Sequence, residues 1–181
     1  TVFRGSYLGT EVAIKELKIS MSDDIVASVE KEAEILTSLR HPCIVLFIGS
    51  ALTDKQISIV TEFVSGGSLD GFIRCRVPEP PFLLRLKWMS EVASGLAYCH
   101  TRGVLHRDLK LENVLIDGEG MRAKLSDFGL SVMLCGADQV HGIEGSIWWR
   151  APEVEASPYG YPADVFSFGI CLAECFSGET G

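Results

Sequence analysis

The chain contains 181 residues, of which 47% are hydrophobic and 22% are charged, with a formal net charge of −8. This composition is typical of a globular protein that can bury a substantial core. The acidic balance argues against a main role in binding nucleic acid, whose phosphates attract basic surfaces. No apolar run approaches the roughly 18 residues of a membrane span. We therefore expect neither a nucleic-acid partner nor a membrane segment in this chain.

Residues 1–39 predict a β-hairpin followed by a helix. Two β-prone runs in residues 1–17 are joined by a turn at Gly9-Thr10, which is the pattern of two paired strands. Residues 23–39 then show an apolar stripe at helical spacing, and Ser22 is placed to cap this helix. Three acidic residues on the helix, Glu30, Glu32 and Glu34, are candidates to pair with Lys15 of the second strand.

Residues 44–50 and 56–63 are two more apolar runs of strand length, with a turn predicted at Asp54-Lys55. Together with the hairpin they predict a mostly antiparallel sheet flanked by one helix. The run that ends near Val64 leads into Gly66-Gly67, which indicates a hinge.

The second part of the chain is predicted to be mainly helical. Helices are expected over residues 68–75, 83–102 and 164–176. The second shows apolar positions on one face at helical spacing, and the third is apolar. Short apolar strands flank residues 106–113, and such strands hold a polar loop rigidly. Residues 130–150 are predicted to be irregular, and a loop of this length is usually functional or disordered.

Residues 118–123 formally match the G-x-G-x-x-A pattern of a dinucleotide-binding turn. That fold requires a helix directly after the glycines. The residues that follow, Lys124 to Asp127, are short and strand-like. We therefore interpret this segment as a hairpin turn.

The scattered cysteines predict a reducing environment. None of the six forms a C-x-x-C pair, and the four histidines show no zinc-finger spacing with them. Such cysteines usually behave as small buried hydrophobic residues. We expect a cytoplasmic location, where thiols stay reduced.

The chemistry of the chain concentrates in His106-Arg107-Asp108-Leu109-Lys110-Leu111-Glu112-Asn113, followed at a distance by Asp127-Phe128-Gly129. One carboxylate to take a proton, with an Asn and a second Asp to hold metal, is what phosphoryl transfer from ATP requires. These motifs resemble the catalytic loop and the metal motif of protein kinases. Val12-Ala13-Ile14-Lys15, Ala151-Pro152-Glu153 and Asp164 resemble further kinase motifs, and all occur in the order of that family.

The resemblance implies a catalytic role for four side chains. Asp108 would accept or orient the proton of the substrate hydroxyl, and Lys110 would neutralise charge on the transferred phosphoryl group. Lys15 would position the other phosphates, and Glu32 would fix Lys15. Asp164 would tie its helix to the backbone of the catalytic loop.

The resemblance also implies ATP and Mg²⁺ as cofactors. Asn113 and Asp127 would bind the metal, since oxygen ligands suit a hard ion that also bridges phosphates. Thr61 would guard the rear of the nucleotide pocket. The adenine would lie between Val2, Ala13 and Leu115 and would meet backbone groups of Glu62 and Val64.

The expected fold is α+β, a two-lobed kinase-like fold with a small antiparallel-sheet lobe and a mainly helical large lobe. By resemblance, residues 1–64 form the small lobe without its first strand and Gly-rich loop. Residues 65–181 form the large lobe without its C-terminal helices, so the chain is expected to be truncated at both ends. His106 and Phe128 resemble links in a buried stack with Leu36 and Phe47.

Lys110 in this motif resembles serine/threonine kinases, and Gly145-Ser146 indicates the same group. Phe47-Ile48-Gly49 and Trp149 are most similar to its tyrosine-kinase-like branch. The implied partner is a protein with a Ser or Thr acceptor. Ser146 is expected to contact the catalytic loop. Ser131 and Ser146 are the only hydroxyl side chains between Gly129 and Ala151, so Asp138 or Glu144 is a candidate to supply negative charge in place of a phosphate.

Two alternatives remain open at this stage. The first is a pseudokinase that binds ATP as a scaffold without transferring phosphate. The second is a small-molecule kinase of similar fold, against which Ala151-Pro152-Glu153 speaks because that segment shapes a peptide-binding surface in protein kinases.

Overall fold

A computed structural model of the chain describes residues 1–18, 23–52, 56–75, 79–118, 121–134, 139–156 and 158–177. Its first part is a four-stranded antiparallel sheet with one helix. The elements are β1 (Val2–Tyr7), β2 (Thr10–Lys18), α1 (Asp23–Ser38), β3 (Phe47–Leu52) and β4 (Gln56–Glu62). The strand order is β1-β2-β4-β3, and every neighbouring pair is antiparallel. The sheet places Lys15 of β2 opposite Ile59 of β4.

The predicted first hairpin is present, and its turn lies one residue earlier than expected, at Leu8 and Gly9. Both have positive φ, 50° for Leu8 and 81° for Gly9. Two successive residues with positive φ match the right-handed twist of paired strands. The predicted cap Ser22, the turn at Asp54-Lys55 and the candidate acid Asp138 lie outside the described residues.

Only part of the predicted strand over residues 44–50 belongs to this sheet, because β3 begins at Phe47. The preceding residues pair elsewhere. The Val45 N–H donates to the carbonyl of Leu125 at 2.9 Å, and the Leu125 N–H donates to the carbonyl of Cys43 at 2.8 Å. An apolar run does not reveal which neighbour will accept its hydrogen bonds.

The second part is mainly helical. It contains α2 (Leu69–Cys75), α3 (Phe82–Thr101), α4 (Pro152–Ala156) and α5 (Pro162–Ser177), together with four short strands. These strands are β5 (Val104–Leu105), β6 (Val114–Asp117), β7 (Arg122–Leu125) and β8 (Val132–Met133). β6 pairs with β7 in antiparallel fashion, with Asp117 opposite Arg122. The expected pairing on either side of the dinucleotide-like glycines is therefore present, while residues 119–120 lie outside the described residues.

A large core cluster joins the sheet, α1, α3 and the β6–β7 hairpin. It includes Ile35, Ile59, Trp88, Leu125 and Phe128, all almost fully buried. Gly95 permits close packing of α3, since a Cβ there would lie 2.8 Å from the carbonyl oxygen of Cys43. An antiparallel-sheet lobe and a helical part around this core confirm the expected α+β class. No helix among the described residues is long and apolar enough to cross a membrane.

Candidate active site

Lys15 is held between two carboxylates from distant parts of the chain. Its Nζ lies 2.8 Å from Glu32 Oε1 on α1 and 2.8 Å from Asp127 Oδ1, which follows β7. Glu32 is buried, whereas Glu30 and Glu34 are exposed. The structure therefore selects Glu32 among the three candidate partners, and the predicted ion pair is confirmed.

The charges in this group do not all act in the same direction. Burial raises the pKa of Glu32 and outweighs the neighbouring Lys15, which acts to lower it. Burial by itself lowers the pKa of Lys15, but the neighbouring Glu32 and Asp127 outweigh burial and raise it. Burial likewise acts to raise the pKa of Asp127, yet the charge and hydrogen bond of Lys15 outweigh it and lower that pKa. At neutral pH the group thus contains an ammonium and an ionised Asp127 carboxylate.

Gly129 allows this group to be compact. A Cβ at Gly129 would lie 3.2 Å from Lys15 Nζ, 3.3 Å from Asp127 Oδ1 and 3.4 Å from Glu32 Oε2. Asp127 itself has a φ of 57°, an uncommon conformation for a residue with a side chain. The tight turn after β7 therefore presents the Asp127 carboxylate to Lys15.

Asp108 lies at the centre of a second hydrogen-bond group. Its Oδ2 accepts from Asn113 Nδ2 at 2.9 Å and lies 3.0 Å from Lys110 Nζ. Its Oδ1 accepts from both the N–H and the Oγ–H of Ser146, at 2.9 and 2.8 Å. Burial acts to raise the pKa of Asp108, but the bonds from Ser146 and Lys110 outweigh it and lower the pKa.

Ser146 reaches Asp108 because the preceding glycine approaches the catalytic loop. Gly145 has a φ of 87°, and a Cβ there would lie 2.2 Å from the carbonyl oxygen of Arg107. Lys110 Nζ also donates to Ser146 Oγ at 2.7 Å. The expected contact of Ser146 with the catalytic loop is confirmed.

The backbone of the catalytic loop is anchored by Asp164 at the start of α5. The His106 N–H donates to Asp164 Oδ2 at 2.8 Å, and the Arg107 N–H donates to Oδ1 at 2.9 Å. The ring of His106 contacts the buried ring of Phe128, with centroids 4.9 Å apart. Leu36 belongs to the same core cluster as Phe128, and Phe47 packs against that cluster.

A cavity of about 270 Å³ lies between the sheet and the β6–β7 hairpin. Seven of the predicted nucleotide and metal residues line it: Val2, Ala13, Lys15, Thr61, Asn113, Leu115 and Asp127. Glu62 and Val64 are not among the lining residues. Sequence reasoning did not assign Glu112, Val45, Ile59 and Ser126 to this cavity, although they also line it. The available signal for Ile59 was the alternation of side chains along β4, which puts Ile59 on the same face as the predicted pocket residue Thr61.

The side chain of Glu62 makes a different connection. Its two carboxylate oxygens lie 2.6 and 2.7 Å from Nζ of Lys124 on β7, and Oε1 also accepts from the N–H of Leu46 at 2.7 Å. Glu62 thus links β4 to the β6–β7 hairpin. Its predicted backbone contact with adenine stays a prediction.

The residues at the cavity fit a Mg²⁺-bound nucleotide. Asn113 Nδ2 is engaged by the backbone and side chain of Asp108, which leaves the amide oxygen as its ligand atom. Asp127 supplies a carboxylate nearby, since the preceding Ser126 donates its N–H to the carbonyl of Asn113 at 2.9 Å, and Lys15 supplies positive charge. Two oxygen ligands suit Mg²⁺, which completes its shell with phosphate oxygens and water.

Residues 2–180 match the protein kinase domain family. A serine/threonine-protein kinase of Dictyostelium discoideum is 39% identical over 98% of this chain and 35% of its own length. The serine/threonine-protein kinase STY46 of Arabidopsis thaliana is 35% identical over 98% of the chain and 31% of its own. A RasGEF domain-containing serine/threonine-protein kinase of Dictyostelium discoideum is 36% identical over 99% of the chain and 19% of its own.

The chain thus spans about a third or less of the length of these relatives. The resemblance noted in the sequence is confirmed by matches that extend over nearly all of its residues. The matched residues include those that form the two hydrogen-bond groups and those that line the cavity described above. The chain belongs to the protein kinase domain family.

Proposed function

We propose that this chain is the catalytic part of an ATP-dependent serine/threonine protein kinase. It would transfer the γ-phosphoryl group of Mg-ATP to a Ser or Thr hydroxyl of a protein in signalling. The main observation in support is the position of Asn113. It donates a hydrogen bond to Asp108, and it also lines the cavity that contains Lys15 and Asp127. Asp108, which can accept a hydroxyl proton, therefore lies next to Lys15 and Asp127, which can bind phosphates and their metal ion.

Asp108 would receive the substrate hydroxyl. Its lowered pKa keeps the carboxylate ionised, so it can accept a hydrogen bond from the hydroxyl and orient the oxygen for attack. Lys110, 3.0 Å from that carboxylate, would neutralise charge on the transferred phosphoryl group. Catalysis of phosphoryl transfer consists mostly of such positioning and charge stabilisation.

Lys15, Asn113 and Asp127 would hold the polyphosphate side of the nucleotide. Bound Mg²⁺ would supply positive charge to the phosphate oxygens, with Asn113 and Asp127 as its side-chain ligands. Glu32 would keep Lys15 directed into the cavity. Val2, Ala13 and Leu115 would contact the adenine, with Thr61 at the rear wall and the backbone of Glu62 and Val64 at its edge.

We further propose that residues 1–64 act as the small lobe and residues 65–181 as the large lobe, with the nucleotide between them. The Cys43, Cys75, Cys99, Cys171 and Cys175 thiols are free, which supports a cytoplasmic, reducing location. Names of the relatives support the serine/threonine class of acceptor. The tyrosine-kinase-like features of Phe47 and Trp149 support placement in that branch.

The test uses the full-length protein, Mg-ATP and a protein substrate with separate Ser, Thr and Tyr acceptors. We expect phosphate on Ser or Thr, and loss of transfer in Asp108→Asn with ATP binding retained. Asp70→Asn on α2, where Asp70 pairs with Arg74 at 2.6 Å, makes the same chemical change away from the site and should keep activity. Binding of Mg-ATP by the wild-type protein without any transfer would instead favour the pseudokinase scaffold.

A further inference from the structure

Ser126 directly precedes one proposed metal ligand, Asp127, and bonds twice to the other, Asn113. Its N–H donates to the carbonyl oxygen of Asn113 at 2.9 Å, and its Oγ–H donates to the same oxygen at 2.8 Å. Ser126 also lines the proposed nucleotide cavity. We infer that Ser126 is a positioning residue, whose hydroxyl fixes the spacing of Asn113 and Asp127 for the metal ion. This inference rests on the proposed kinase function.

The end of the β6–β7 hairpin explains why a hydroxyl is required there. The last paired residues of the hairpin are Val114 and Leu125, so Asn113 and Ser126 are the next to face each other. Opposite residues of an antiparallel pair can exchange two N–H···O bonds. The Asn113 N–H is already used, because it donates to the carbonyl of Lys110 at 3.0 Å within a 3₁₀ turn. The Ser126 hydroxyl supplies the second bond in its place.

The carbonyl oxygen of Ser126 is engaged as well. It lies 3.1 Å from Nε2 of His106. Because a carbonyl can only accept, that ring nitrogen carries the proton. The other ring nitrogen, Nδ1, accepts from the N–H of Asp108 at 3.3 Å. Ser126 thus connects the turn before Asp127 both to Asn113 and to the loop that contains the proposed catalytic carboxylate.

Asp127 depends on such an anchor because its backbone conformation is uncommon. Its φ is 57°, and conformations of this kind persist only where surrounding contacts enforce them. Its Oδ1 is also attracted by Lys15 Nζ at 2.8 Å. Without the hydroxyl of Ser126, the N–H of Ser126 is the remaining donor to the Asn113 carbonyl among the described residues. The two ligands can then separate, and Mg²⁺ tolerates little departure from octahedral geometry.

Two substitutions in the full-length protein separate the hydroxyl from the rest of the residue. Ser126→Ala removes the hydroxyl donor and keeps the backbone N–H. Ser126→Thr restores a hydroxyl on the same carbon atom. Ser38→Ala is the matched control, because Ser38 Oγ also donates to a backbone carbonyl, that of Ile35 at 2.7 Å, and Ser38 does not line the cavity.

The main measurement is ATP binding by calorimetry, once with Mg²⁺ and once with EDTA. For Ser126→Ala we expect binding of Mg-ATP to weaken about three- to tenfold, the effect of one neutral hydrogen bond, and binding of metal-free ATP to stay within about twofold. Ser126→Thr should restore Mg-ATP binding, and Ser38→Ala should leave both affinities unchanged. In the kinase assay, the Mg²⁺ concentration for half-maximal activity should rise by the same factor in Ser126→Ala.

Several results would overturn the inference. Equal weakening with and without Mg²⁺ in Ser126→Ala would reduce Ser126 to a packing residue or a direct contact of the nucleotide. Unchanged Mg-ATP binding in Ser126→Ala, or ATP binding by the wild-type protein that does not depend on Mg²⁺, would remove the proposed role altogether. If the wild-type protein binds Mg-ATP but transfers no phosphate, the kinase function fails instead, and the binding comparison still decides the role of Ser126.

Discussion

Replacement of Gly145 by alanine tests whether the close approach of residues 145–146 to the catalytic loop determines activity. A Cβ at Gly145 would lie 2.2 Å from the carbonyl oxygen of Arg107. Ordinary carbon–oxygen contacts begin near 3.3 Å, so the two backbones must separate by about 1 Å. The obstacle is a backbone atom, which no side-chain rotation can move away.

Gly142 provides the matched control. It also has a positive φ, 101°, but a Cβ there would meet nothing within 4 Å. Both alanine variants therefore carry the cost of a side chain at positive φ, roughly 1–2 kcal/mol. Only Gly145→Ala adds the steric overlap, for which overpacked sites suggest about 1–3 kcal/mol more.

Separation of the two backbones should also displace the proposed catalytic carboxylate, because Ser146 donates two hydrogen bonds to Asp108. We expect Gly145→Ala to lower kcat about 100-fold, the effect of a misplacement of roughly 1 Å, while Gly142→Ala stays within a few-fold of wild type. The measurements are steady-state phosphorylation of a Ser/Thr peptide and denaturant unfolding of the full-length protein. Equal kcat and equal stability in the two variants would refute the reasoning.

Three further predictions concern the Lys15–Glu32 pair, the Asp108 carboxylate, and the two serines between Gly129 and Ala151. Lys15→Met and Glu32→Gln should each reduce kcat/KM at least tenfold. Because both disrupt one ion pair, the loss of kcat/KM in the double variant should be far smaller than the product of the two single losses. A loss equal to that product would contradict the pairing. The lowered pKa of Asp108 keeps its carboxylate ionised to lower pH than usual, so activity should persist on the acid side and fall only as pH drops through that lowered pKa. Ser146→Ala removes the hydroxyl donor and keeps the backbone N–H donor to Asp108, so it should move the acid limb of the kcat profile to higher pH, and an unmoved limb would argue that another group controls it. Phosphatase treatment should leave activity unchanged, because both serines already use their hydroxyls in hydrogen bonds. Ser131 Oγ is buried and donates to the carbonyl of His106 at 3.1 Å, and Ser146 is bonded to Asp108. Loss of activity, with phosphate mapped to either serine, would contradict this prediction.

Most of the proposed site could be predicted from the sequence because its members lie in short motifs. A run such as residues 106–113 fixes the mutual spacing of Asp108, Lys110 and Asn113 through local backbone geometry alone. Lys15 and Asp127 are equally recognisable, each within a compact motif. Hydrophobic periodicity likewise predicted α1 and α3, because burial of one face imposes a regular spacing on apolar residues, whereas the short helix α4 was not predicted.

Other features depended on contacts between distant segments. The residue pattern by itself left three acids as partners for Lys15, and the kinase resemblance singled out Glu32. The packing of α1 on the sheet buries Glu32 and leaves Glu30 and Glu34 exposed. Cys43 to Val45 have the composition of a strand, yet they pair with Leu125 across the core rather than with β4. An apolar run specifies that a segment is buried, but its hydrogen-bond partners depend on which backbone the fold brings near.

The sequence by itself determined the chemical groups of the proposed site, their order and the class of fold, because these follow from local motifs and periodicity. The kinase resemblance implied that Ser146 and Asp164 would contact the catalytic loop, but only the tertiary structure decided which atoms bond and at what distances. Asp108 is fixed by Ser146, 38 residues away, and the loop that carries Asp108 is fixed by Asp164. Such bonds join segments that are far apart in the chain, and no local spacing encodes the distance between them.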